Sequence, residues 1–154
     1  VTQDARFEDA SPKPLNIGAM DADDLQVISA LVQDAVLPVG EMTYERGAGR
    51  FALLLNRFRW EDKSAARPER VQAVLAFETV RGVSSQGIDR SDKDTVLSLL
   101  SVEFAETDAP SGHVTLHFAG DGALRLTVEA IEATLRDVTR PYYAPSGKVP
   151  DHNA

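Results

Sequence analysis

From Val39 to Val128 the apolar residues recur at every second position, in runs cut short by glycine, proline and aspartate. A period of two is the signature of strands with one buried face, and it restricts the chain to a sheet-based fold. Val114, Leu116 and Phe118 alternate with His113, Thr115 and His117; Leu124, Leu126 and Val128 return on the far side of Gly120-Asp121-Gly122, the strongest hairpin signal in the chain. Val71, Ala73, Leu75 and Phe77 alternate with Gln72, Val74, Ala76 and Glu78. In Phe51–Trp60 the residues Phe51, Leu53 and Leu55 share a face with Arg57 and Arg59, while Ala52, Leu54, Asn56, Phe58 and Trp60 share the other. The first half of that strand reads as buried on both sides, and the second as turning two arginines outward. Val80–Ser85, past a kink at Gly82, and Val96–Phe104 complete the series. No strand-helix-strand alternation supports a parallel sheet, so the strands are expected to pair antiparallel.

The ends of the chain change period. Asp21 can cap a helix, Asp23 and Asp24 suit its positive end, and Leu25, Ile28, Val32 and Ala35 recur on one face before Pro38. Leu25, Val27 and Leu31 also alternate, so strand is a second reading and helix the better one. Ile131, Leu135 and Val138 stand at i, i+4 and i+7, which predicts an amphipathic helix closed by Thr139-Arg140-Pro141. The expected fold is therefore α+β: a bent antiparallel sheet or half-barrel of about six or seven strands, with an N-terminal helix and a capping C-terminal helix. That element order is similar to pleckstrin-homology-like domains. A single domain over residues 1–154 is expected, with an irregular arm at 1–20 and a proline-rich extended tail at 141–154 anchored by Tyr142 and Tyr143.

Charge and composition narrow the function classes. A net charge of −8 repels phosphate backbones and anionic membrane surfaces, so neither nucleic acid nor membrane is expected as a partner. The chain has no cysteine, hence no disulfide, thiolate nucleophile or sulfur metal site, which fits the cytoplasm. No apolar run is long enough to span a bilayer, and Asp4, Glu8 and Asp9 stand where a signal peptide would be basic and then apolar.

The candidate site is the polar connection between two strands, Arg81–Ser101. Asp89, Arg90, Asp92, Lys93 and Asp94 place five charges in six residues, in a loop longer than a minimal turn requires. The plain alternative is a solvated connection whose aspartates make local turns. Arg57, Arg59, Arg81 and Arg90 form a second set: arginines near one loop can gather a carboxylate or phosphate, with Trp60 as a flat apolar wall, or can pair with local acids. The expected contact surface is Gln86, Asp89, Arg90, Asp92, Lys93 and Asp94 with Arg57, Arg59 and Trp60.

Other chemistries fail on spacing. His113 and His117 have the spacing of a helical zinc pair but lie on a strand, where four residues span about 13 Å. Counted from Asp89, a calcium loop would put Asp94 at the glycine position and Leu100 at the glutamate position. Pro145-Ser-Gly-Lys148 lacks the leading glycine of a phosphate loop, and Ser84 and Ser85 have no identifiable base. His152 has no visible partner. No metal, cofactor or catalytic residue is expected.

Phe51–Asp62, Ser85–Leu100, Leu135–Lys148 and Asp24–Val36 together resemble a small bacterial family catalogued only as a domain of unknown function, DUF2948. The likeness runs from about Leu15 onward. It implies an alphaproteobacterial origin, genes beside that of histidinol dehydrogenase, and a metabolic or housekeeping setting; it carries no activity. The functional expectation is a cytoplasmic, non-catalytic binding or protein-interaction module. The competing expectation is an enzyme or sensor of a small anionic metabolite, with Arg57 and Arg90 as clamps and Asp92 or Asp94 as base. A homo-oligomer through an open sheet edge or the tail is the third.

Overall fold

The computed structural model describes residues 14–61 and 69–140, and the backbone of 142–143. The rest of the expected arm and tail, including the Pro145–Lys148 segment and His152, lies outside the described residues. Their core is antiparallel sheet, in the order β1-β10-β5-β4-β2-β7-β8-β9-β6, with β3 on the edge of β4 and β11 on the edge of β5. The strands are β1 (Asn16–Ala19), β2 (Val36–Pro38), β3 (Met42–Glu45), β4 (Arg50–Phe58), β5 (Glu69–Phe77), β6 (Val80–Gln86), β7 (Val96–Glu106), β8 (Gly112–Phe118), β9 (Ala123–Val128), β10 (Ala133–Asp137) and β11 (Tyr142–Tyr143). Among the described residues one α-helix, α1 (Ala22–Leu31), follows β1.

Strand β7 folds the sheet on itself. Val96, Leu97 and Ser98 pair with β2, whereas the stretch from Leu99 to Glu106 pairs with β8 after an irregularity between Leu99 and Ser101. The inner faces of the two halves then meet in one cluster. Leu53, Leu55, Leu75 and Phe77 come from one half, and Val114, Leu116, Leu124 and Leu126 from the other. Registers align these residues, Leu53 opposite Leu75 and Leu116 opposite Leu124, as the two-residue period requires. At the β8–β9 turn Phe118 N–H donates to Gly122 O at 2.8 Å. Gly120 there has φ +83°, which glycine adopts without steric cost.

Helix α1 begins where its sequence says it should. The Asp21 side chain accepts from Asp24 N–H at 2.8 Å, and Asp23 and Asp24 occupy the first turn. Leu25 and Ile28 are buried, and Val102 N–H donates to Ser29 Oγ, tying the helix to β7. The helix stops at Leu31, and Pro38 lies in β2 beyond it. Within the described residues, no helix is long and apolar enough to cross a membrane.

The expected C-terminal helix does not form. Residues 133–137 are β10, inserted between β1 and β5, so an α+β half-barrel with a capping C-terminal helix gives way to a mostly antiparallel sheet structure, and the pleckstrin-homology-like element order goes with it. The reason is visible in the burial. Ala133, Leu135 and Asp137 point inward while Thr134, Arg136 and Val138 point out. That is a strand pattern hidden from hydropathy because one inward residue is alanine and another is charged. Part of the expected irregular arm is likewise strand β1.

Two substitutions separate the strand from the helix. Leu135→Ala is expected to cost about 2–5 kcal/mol in urea unfolding, since Leu135 is fully buried. Val138→Ala, at a side chain 44% exposed, is expected to change stability by less than about 0.5 kcal/mol. A helix packed through Ile131, Leu135 and Val138 would make both substitutions costly.

Candidate functional site

The residues expected to form one contact surface are split by the fold into three places. Arg57, Arg59 and Trp60 stand at the C-terminal end of β4, all three engaged internally. Arg57 is 0% exposed. Its Nε and Nη2 donate to the Oδ1 and Oδ2 of Asp137, each at 3.0 Å. Nη1 and Nη2 donate to the Oε1 and Oε2 of Glu61 at 2.8 and 2.7 Å, and Nη1 also to Phe58 O at 3.0 Å. All five N–H donors of the guanidinium are therefore used. Asp137 Oδ2 also accepts from Leu15 N–H, so the cluster fastens β4, β10 and the residue that leads into β1.

Burial works against the charge on Arg57, but the hydrogen bonds it donates to both carboxylates outweigh it and raise its pKa. Burial likewise pushes the Glu61 carboxyl up, and the Arg57 hydrogen bonds again win, holding it below the ordinary glutamate value. Nearby, Arg59 Nη1 bonds Glu69 at 2.6 Å, and Trp60 Nε1–H donates to Gln33 O just past α1. The outward arginine pair expected from the alternation is thus an inward structural one. Arg81 pairs with Glu129 across β6 and β9 at 2.6 Å.

The central loop lies elsewhere, over the N-terminal end of β4, and it is pinned along its length. Gly87, at φ +69°, sits against the β8–β9 turn, where an added Cβ would come 3.1 Å from Asp121 O. Ile88 packs on the core. Asp89 Oδ1 accepts from the N–H and Oγ of Ser91, which holds its carboxyl below the usual range. Asp92 Oδ1 accepts from Asp94 N–H, and Thr95 N–H donates to Asp92 O. Past these turns, Gly40 N–H donates to Lys93 O and Val39 N–H to Thr95 O, at 2.9 and 2.8 Å. Gly40 allows that approach, since a Cβ there would stand 3.1 Å from Lys93 Cβ.

So fastened, the loop carries Arg90 and Lys93 to a cleft of about 390 Å³ in the mouth between the two halves of the sheet. The floor is Val39, Met42, Tyr44, Phe51, Val83 and Leu124, with Arg46 as the third cation and no acidic side chain in the lining among the described residues. The Tyr44 hydroxyl donates to Val80 O at 3.2 Å, and the Arg46 guanidinium stands 5.8 Å from the Tyr44 ring centre. Among the described residues neither Arg90 nor Lys93 forms an ion pair.

Gln86 faces a different hollow, of about 570 Å³, on the outer surface of β6, β8 and β9. That hollow holds Arg125 and His117 beside Asp121, without an apolar floor. His113 and His117 both lie on β8, as their spacing on a strand implied, and His117 stands 3.3 Å from Glu103.

Of the expected surface, then, Arg90 and Lys93 enter the cleft, and the aspartates shape the loop that carries them. Met42, Tyr44, Arg46 and Phe51 were not expected there. Their strand and turn are readable as Glu41–Gly49, but the convergence depends on Pro38 pairing with Val96, which sequence periodicity does not encode.

Geometry and fold define an antiparallel sheet protein with a basic, apolar-floored cleft at its open mouth. The chain belongs to the family described as Protein of unknown function (DUF2948), whose model matches residues 15–152. No curated protein matches the chain, and no solved structure does.

The Arg57 cluster is testable by unfolding. Arg57→Ala leaves two carboxylates without their cation and is expected to cost about 3–5 kcal/mol. Arg57→Lys keeps the charge but not the five-donor fork, and is expected to recover only part of that loss. The lowered Glu61 pKa contributes stability that is complete above the ordinary glutamate range and lost as pH falls through the folded value. Melting temperature is therefore expected to drop on acidification, and Glu61→Gln to flatten that drop.

Proposed function

We propose that this chain is a cytoplasmic, non-catalytic binding module whose ligand is an amphipathic anion: an apolar group seated on Tyr44 and Phe51, and a carboxylate, phosphate or sulfonate met by Arg90 and Lys93. One observation carries the reading. In a chain of net charge −8, three cations border one apolar cleft with no acid among the described residues that line it. Such convergence raises the local concentration of anions even where the net charge opposes them. The volume falls in the range of small-ligand sites, which combine apolar walls with a few placed polar groups.

The lining supports binding rather than proton transfer. Among the described lining residues the one side-chain hydroxyl, on Tyr44, donates to Val80 O, and none carries a carboxylate or an imidazole. Of Asp92 and Asp94, the bases in the competing expectation, neither is among the described lining residues, and an Asp92 oxygen accepts from Asp94 N–H.

An aromatic sulfonate, 8-anilinonaphthalene-1-sulfonate, tests this directly against N-phenyl-1-naphthylamine, which has the same rings without the charge. The sulfonate is expected to bind saturably at one site and the neutral compound more weakly. The double variant Arg90→Ala/Lys93→Ala should weaken the sulfonate about tenfold or more, as expected for loss of charge-assisted contacts. Both side chains are exposed, so stability should move by less than about 0.5 kcal/mol. Equal binding of the two compounds, or a double variant that binds as the parent does, would refute the assignment.

A further inference from the structure

The cleft lies between strand edges as well as side chains. Among the described residues β6, at one end of the sheet path, pairs only with β9, and β3 pairs only with β4. Val80 N–H donates to Gly49 O and Val80 O accepts from Tyr44, which fixes the start of β6 beside β3 and β4. Beyond Val80, among the described residues, no backbone hydrogen bond joins β6 to either strand. The sheet is thus left open along this seam, with Met42, Tyr44 and Val83 lining the cleft.

An unpaired edge is a template for another strand, and native proteins commonly guard it with proline, lysine or a bulge. Here the only such device in β6 is the irregularity between Val80 and Gly82, at the end already fixed to Gly49; Val83–Gln86 contains neither proline nor lysine. The cations stand near both ends of that edge. Arg46, in the turn after β3, sits by the Val80 end through its contact with Tyr44. Arg90 and Lys93 follow closely on Gln86 at the other end.

We propose that the occupant of the cleft is an extended segment of a partner protein that adds as a strand to the free edge of β6, with apolar residues at alternate positions on the Tyr44 and Phe51 floor and acidic residues near both ends. This rests on the anion-binding reading of the cleft and specifies its ligand. Strand addition supplies affinity through main-chain hydrogen bonds and specificity through alternate side chains. Seven extended residues reach about 23 Å, the length of β6 itself. Charge complementarity with Arg46, Arg90 and Lys93 singles out an acidic segment over a basic one.

The probe is a fluorescently labelled Glu-Val-Thr-Ile-Thr-Phe-Asp peptide, capped at both ends, titrated by anisotropy into the full chain. Saturable binding is expected, with amide hydrogen-exchange protection gained within 82–86. Affinity should fall about tenfold or more when Glu and Asp become Gln and Asn, or in Arg90→Ala/Lys93→Ala. Methylating alternate backbone nitrogens of the peptide, which removes pairing but keeps every side chain, should abolish binding. The proposal is overturned if the peptide does not bind, if backbone methylation leaves affinity unchanged, if protection appears at β1 instead, or if the chain self-associates through β6 without peptide. A chain that binds the aromatic sulfonate but not the peptide would retain the anion site and lose only the strand. One that binds neither would lose both.

Discussion

A fully buried guanidinium holds together the half of the sheet that hydropathy alone would leave loosely specified. Removing an arginine from water is costly unless its charge is matched and its donors are satisfied. Arg57 meets both conditions, with Asp137 and Glu61 as counter-charges and the Phe58 carbonyl accepting beside Glu61. The geometry reaches across three strands. Asp137 is opposite Ala73 on β5, and Ala73 is opposite Leu55, two residues before Arg57. Ala73 presents only a methyl between them on the buried face, which leaves the long side chain a path. A one-residue slip of β10 would turn Asp137 to solvent and leave Arg57 buried without its partner. The cluster therefore selects one register, whatever its net contribution to stability.

The same segregation of charge operates at the opposite end of β4, with a different outcome. The central loop is nearly neutral by count, yet its acids and bases do different jobs. Asp89 and Asp92 accept hydrogen bonds from the loop's own backbone and from Ser91, and so set its shape. Arg90 and Lys93, without ion pairs among the described residues, are left to line the cleft. A net charge of −8 is a property of the whole chain, whereas the described lining of this cleft carries Arg46, Arg90 and Lys93.

How much of this was legible follows from what periodicity can register. The central strands and the Gly120–Gly122 hairpin could be read because both faces obey hydropathy. So could the capped start of α1. Strand β10 could not, because an inward aspartate and alanine leave Leu135 as its only large apolar residue. Arg57 was read as outward for the same reason: alternation assigns charge to solvent, and the exception needs a partner 80 residues away. Strands β1 and β2 are too short to show any period. The loop between strands was visible as a candidate, but its true neighbours come from β2–β7 pairing and from an unclosed seam, both long-range facts.

Placing the rigid cluster and the cleft at opposite ends of β4 has a mechanical consequence. Six residues separate Phe51 from Arg57, about 20 Å along the strand. Closing the seam between β3 and β6 would remove both the cavity and the free edge, so the mouth must do without the hydrogen bonds a closed barrel would gain there. That loss is tolerable only if the architecture is secured elsewhere, and the Arg57 cluster with the packed Leu53–Leu75 layers supplies that security. Side chains at the mouth can then vary with ligand chemistry while the register is held from the far end, the separation expected where a binding surface is carried on a scaffold that must not move with it.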